Sequence, residues 1–98
     1  MFGVARKGDK STGHDGCGPV PWNENLSINT FCDGRAVALK DTMATAHGCK
    51  SHSPHKPTIS GVSSYTFANG RGFALKTSTM SNCPDKVNEV SAITFADF

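Results

Sequence analysis

No apolar run in this 98-residue chain approaches the roughly 20 residues that a membrane-spanning helix needs. The N-terminus, MFGVARKGDKSTGHD, lacks the apolar segment of a secretory signal. Excess charge is scarce: ten Lys and Arg stand against eight Asp and Glu, a formal net charge of +2. With the cations scattered and no aromatics interleaved, this balance argues against nucleic acid as a partner. Common catalytic signatures are missing too: there is no H-E-x-x-H, no G-x-S-x-G and no Gly-rich phosphate loop. The last shortage is apolar bulk. Only 37% of residues are hydrophobic, beside ten Gly and five Pro. A single domain of this kind forms a modest core, so a metal, disulfides or a partner surface is expected to help stabilise it.

What the chain does hold is concentrated. The stretch ATAHGCKSHSPHKP, residues 44–57, carries three of the four His (His47, His52, His55) and one of the four Cys, Cys49. The other cysteines are Cys17, Cys32 and Cys83. Two disulfides would require an oxidising compartment. Without an export signal, free or metal-bound thiols are the expectation. Cys32, within a strand-like run, reads as a buried small hydrophobe.

The chain also repeats itself. TFCDGRAVALK, residues 30–40, and TFANGRGFALK, residues 66–76, are identical at seven of eleven positions without a gap. VARKGDKSTGH, residues 4–14, matches VALKDTMATAH, residues 37–47, at five of eleven. In this register His14, His47 and Cys83 occupy one repeat position, 33 and 36 residues apart. A period near 34 also suits helical arrays. Here Asp33-Gly34 and Asn69-Gly70 are hairpin signals between Thr- and Phe-rich runs, and GFALKTSTMSN is poor in helix formers. The expectation is an all-β, small domain spanning residues 1–98, with pseudo-threefold internal repeats. Its strands are placed at 3–7, in hairpins over 26–40 and 58–76, and at 87–95. Residues 13–25 read as loop.

Equivalent loops about a threefold axis would bring His14, His47 and Cys83 together. One tetrahedral position is then open for His52 or His55, with Cys49 a third candidate. A closed shell of three His and one Cys is a structural zinc site, with iron the alternative ion. Structural zinc contributes on the order of 10 kcal/mol apparent in small domains.

These residues resemble a family. Ala5-Arg6-Lys7-Gly8-Asp9 resembles the A-R-x-G-D of PAAR-repeat proteins. TFCDGRAVAL and SGVSSYTFANGRGFAL resemble the family's G-S-x-x-V-x-V-N-G-R-x-x-A run, and Cys49-Lys50-Ser51-His52 its C-P-x-H. The chain departs by having Ala36 and Gly72 where the family has Pro. It has Lys40-Asp41 and Lys76-Thr77 where the family has Gly-Asp, and its first unit has no complete hairpin. The resemblance implies a β-cone whose blunt base sits on a trimeric β-helical spike, one copy per trimer, with zinc near the apex. It points to His52 as the fourth ligand, giving His14, His47, His52 and Cys83. The implied role is structural. It is the membrane-piercing spike tip of a contractile phage tail or type VI-like secretion machine, a baseplate component of the virion assembled in the host cytoplasm. In that role it meets the target cell envelope only transiently. Rival readings are a small disulfide-stapled secreted binding domain and a zinc hydrolase. The hydrolase would need an open metal position and a base such as Asp15 or Asp41.

Overall fold

The computed structural model describes residues 1–14, 16–49 and 52–98, and for Cys49 and His52 the backbone alone. The described residues contain no helix, and their architecture is all-β. The strands are β1 (Phe2–Gly3), β2 (Trp22–Glu24), β3 (Phe31–Cys32), β4 (Arg35–Ala36), β5 (Met43–Ala44), β6 (His47–Cys49), β7 (His52–His55), β8 (Phe67–Ala68), β9 (Arg71–Gly72) and β10 (Phe95–Ala96). They pair in antiparallel twos: β1 with β10, β2 with β5, β3 with β4, β6 with β7, and β8 with β9. The molecule measures 37 × 24 × 22 Å.

The two hairpins turn where the sequence places them. Asp33 and Gly34 have φ of 55° and 76°, and Asn69 and Gly70 have φ of 54° and 73°. Two successive positive φ values make the primed turn whose twist matches a hairpin, which is why Asp-Gly and Asn-Gly occupy it. Phe31 pairs with Ala36, and Phe67 with Gly72.

A third pair has the same register but comes from the two chain ends. In the β1/β10 pair, Phe95 lies opposite Gly3 and Ala96 opposite Phe2. The first repeat unit, which has no complete hairpin in the sequence reading, is thus completed from the far end of the chain. SAITFAD, residues 91–97, follows the same pattern as SINTFCD, 27–33, and SSYTFAN, 63–69.

The strand expected over 87–95 is correspondingly broken. Val87 bridges Ser11, and regular pairing resumes only at β10. The cause is Ser91, whose hydroxyl accepts the N–H groups of Ile93 and Thr94 at 3.2 and 3.0 Å. Such bonds offer the backbone a turn in place of a ladder. Ser27 and Ser63 accept the corresponding N–H groups two and three residues on. The strand expected over 3–7 likewise consists of β1 and the isolated bridges of Val4 with Leu75 and Arg6 with Val37.

At the centre, three buried alanines exchange backbone hydrogen bonds in a ring. Ala5 N–H donates to Ala74 C=O at 2.9 Å, Ala74 to Ala38 at 2.9 Å, and Ala38 to Ala5 at 3.0 Å. Lys7, Lys40 and Lys76 donate in turn to Ala36, Gly72 and Gly3. Three residues beyond each alanine the chain enters the left-handed region, at Gly8 (φ 85°), Asp41 (71°) and Thr77 (74°). Asp41 and Thr77, rather than Lys40 and Lys76, therefore stand where the first unit has Gly8.

The core is small and made in two parts. Trp22, Ile59 and Val87 pack with the three ring alanines. Val4, Val37, Leu39, Leu75 and the buried free thiol Cys32 form the second part, as expected for Cys32.

Candidate metal centre

Each repeat strand, continued nine residues past its ring alanine, delivers one chemically active side chain: His14, His47 or Cys83. His14 sits on a tight turn, exchanging backbone hydrogen bonds with Cys17 at 2.9 and 2.6 Å. His47 opens β6, and β7 returns antiparallel so that His55 lies opposite His47. His14, His47, His55 and Cys83 converge, with one ligand atom from each lying within 4.8 Å of the others. None of the four is exposed.

The His52 expected as fourth ligand pairs through its backbone with Cys49. The side chains of both residues lie outside the described ones. In the quartet the β7 histidine is His55.

Ring nitrogens tell what the quartet can do. His47 Nδ1 lies 3.1 Å from Gly18 C=O, and His55 Nδ1 lies 3.3 Å from Ser53 C=O. His14 Nδ1 pairs with an Asp85 carboxylate oxygen. Each partner only accepts, so each Nδ1 carries a proton. His47 Nε2 faces His55 Nε2 at 3.0 Å. At that distance the two nitrogens share either a proton or a metal ion. Nitrogens on a tetrahedral zinc with bonds of ~2.0–2.1 Å would lie about 3.3 Å apart. The rings meet edge-on, with centroids 5.0 Å apart for His14 and His47 and 4.5 Å for His47 and His55. Burial pushes the Cys83 thiol above its ordinary pKa, with the Asp85 backbone N–H pulling the other way and its carboxylate adding to the rise. A neighbouring cation would favour the thiolate. Among the described residues, the group offers four protein donors that could hold a metal ion.

The sequence reading did not anticipate two of these features. Asp85 stands two residues from Cys83 as an ordinary loop acid, with no motif to mark it. Cys17 is disulfide-bonded, while Cys32 and Cys83 are free. This corrects the expectation of free or metal-bound thiols at Cys17. That expectation rested on compartment, and compartment does not decide which thiols a fold brings together. No protein-family model matches the chain, and a search of curated proteins returns no match.

Proposed function

We propose that this chain is a structural tip that caps a trimeric β-helical spike, one copy per trimer, in a contractile phage tail or type VI-like injection machine. What supports this reading is one pairing register that recurs at Phe31 with Ala36, Phe67 with Gly72 and Phe95 with Gly3. Phe31, Phe67 and Phe95 occupy one register position and are 62%, 58% and 46% exposed. Ile28, Tyr65 and Ile93 beside them are exposed too. A cleft of about 630 Å³ opens next to the third hairpin, lined by Met1, Tyr65, Thr66, Phe95, Ala96 and Asp97. Repeated apolar side chains on one small domain mark an interaction surface. Repetition about a pseudo-threefold axis suits a partner of matching symmetry, and a single chain capping three strands' ends removes exposed edges.

Zinc in the His14, His47, His55 and Cys83 shell would tie together the loops that follow the three repeat strands. Nitrogen and sulfur donors in a closed tetrahedral set suit zinc in a structural role, and no catalytic step is assigned to it. In this reading the protein belongs to the virion baseplate, assembles in the host cytoplasm and meets the target envelope only during penetration.

The test is native mass spectrometry with a trimeric β-helical spike. The expected complex is one chain per trimer, lost when Phe31, Phe67 and Phe95 are all replaced by Ser. Three chains per trimer, or binding indifferent to that triple change, would overturn the reading. The disulfide at Cys17 favours a second reading, a small stapled binding domain of an oxidising compartment. The free thiols of Cys32 and Cys83 weigh against it. Thiol titration of the denatured protein discriminates, since a fully stapled domain releases none.

A further inference from the structure

We infer that Asp85 is a positioning residue for the metal centre, one that fixes the His14 ring and balances the charge of the buried ion. The inference rests on reading the quartet as a metal site. Three observations carry it.

The first is geometry. The Asp85 side chain has no exposed surface. One of its oxygens pairs with His14 Nδ1, and the other accepts the Ser11 hydroxyl at 2.5 Å. Ser11 is fully buried and itself accepts the Val20 N–H at 3.2 Å. The carboxylate is therefore held at both ends, and it favours the His14 tautomer that keeps its proton on Nδ1.

The second is charge. His47 and His55 lean on backbone carbonyls, which are neutral. Only His14 leans on an acid. Three neutral imidazoles and the Cys83 thiolate leave a divalent ion with one uncompensated positive charge. Asp85 cancels it, where an unpaired buried charge would be costly.

The third is the break in the repeat. Asp85 lies eleven residues past Ala74, and the same offset from Ala5 and Ala38 falls on Gly16 and Cys49. The acid is therefore no requirement of the repeated backbone. It occurs in the unit that contributes the sulfur of Cys83, and it reaches across to the histidine of another unit.

The experiment uses the full chain with cobalt(II) as probe, followed by its absorption bands, and then competition for zinc against a chelator. Wild type is expected to take up one cobalt with the spectrum of a tetrahedral site of three nitrogens and one sulfur. Asp85→Asn keeps that spectrum but loses about 10- to 100-fold in affinity, the range typical of such outer partners. The melting temperature of the metal-free protein should stay within a few degrees, whereas a merely structural role would lower free and loaded forms alike. Ser11→Ala, which removes the second anchor and the acceptor of the Val20 N–H, should lose affinity by about three- to tenfold. If Asp85→Asn does not fold, Ser11→Ala decides, and unchanged affinity there overturns the inference. Wild-type affinity in Asp85→Asn overturns it directly. Failure of the wild-type chain to bind cobalt would instead overturn the metal reading itself, and this inference with it.

Discussion

Thr77 adopts φ of 74° on an exposed turn. A β-branched residue in the left-handed region is strained by roughly 1–3 kcal/mol. Gly8 holds the corresponding turn without strain, and each turn makes the same hydrogen bond, from Gly8 to Trp22, Asp41 to Ile59 and Thr77 to Val87. Thr77→Gly should therefore raise stability by about 0.5–1 kcal/mol, the strain relief exceeding the added chain entropy. Chemical denaturation of the metal-loaded protein checks this, and a lower midpoint would refute the strain. At the same scale, His55→Ala should reduce zinc affinity by more than the ~100-fold that an outer partner is worth, with His52→Ala as the parallel test of the residue that the resemblance implied. Competition titration of the two variants separates them. Loss confined to His52→Ala would return the fourth position to the residue that the family resemblance implied.

Among the elements, each hairpin is held by a serine hydroxyl as well as by its own ladder. Ser63 is 1% exposed, and its hydroxyl accepts the N–H groups of Tyr65 and Thr66 at 3.1 Å each while donating to Asp97 C=O at 2.5 Å. Ser63→Ala strands those groups and should cost about 1–3 kcal/mol, read as a shifted unfolding midpoint. A change within error would mean that water replaces the hydroxyl at no cost. The ring of Ala5, Ala38 and Ala74 sets a tighter limit. All three are fully buried, so Ala38→Val overfills the centre and should destabilise by about 1–3 kcal/mol. The turns were legible beforehand because their chemistry is local: Asp33-Gly34 and Asn69-Gly70 need only their own φ preferences. The ring alanines were not, because nothing in Ala-Arg, Ala-Leu and Ala-Leu marks three backbones that meet.

At the largest scale, residues 1–3 meet residues 95–98. The Met1 ammonium lies 3.3 Å from an Asp97 carboxylate oxygen, and the Phe2 and Phe98 rings stack edge-on at 4.9 Å. By register, Asp97 corresponds to Asp33 and Phe2 to Arg35, so a single Gly between Asp97 and Phe2 would rebuild the Asp-Gly turn of the first hairpin. A circular permutant joined in that way and opened between Asn69 and Gly70 should fold and keep its metal affinity, as circular dichroism and cobalt titration would establish. A permutant without a cooperative transition would mean that the open ends are required. Removal of the ion acts on the same scale. With zinc bound, chelation should lower the melting temperature by at least about 10 °C, since even about 2–3 kcal/mol lost with the metal moves a domain of this size by that much at ~4–8 °C per kcal/mol. An unchanged melt would remove the metal from the account of stability.

The sequence by itself determined the all-β character, the two internal hairpins and the common position of His14, His47 and Cys83. Each of these follows from short-range turn chemistry or from a gapless register, and both are properties of segments read alone. Tertiary structure decided the rest. It closed the third hairpin from residues at opposite ends of the chain. It brought His55 into the quartet by pairing it with His47, engaged Cys17 in a disulfide, and set Asp85 against His14 across 71 residues of sequence. Those contacts join segments that share no local pattern, so the physics that selects them, burial and charge compensation in a common interior, acts only once the chain has folded.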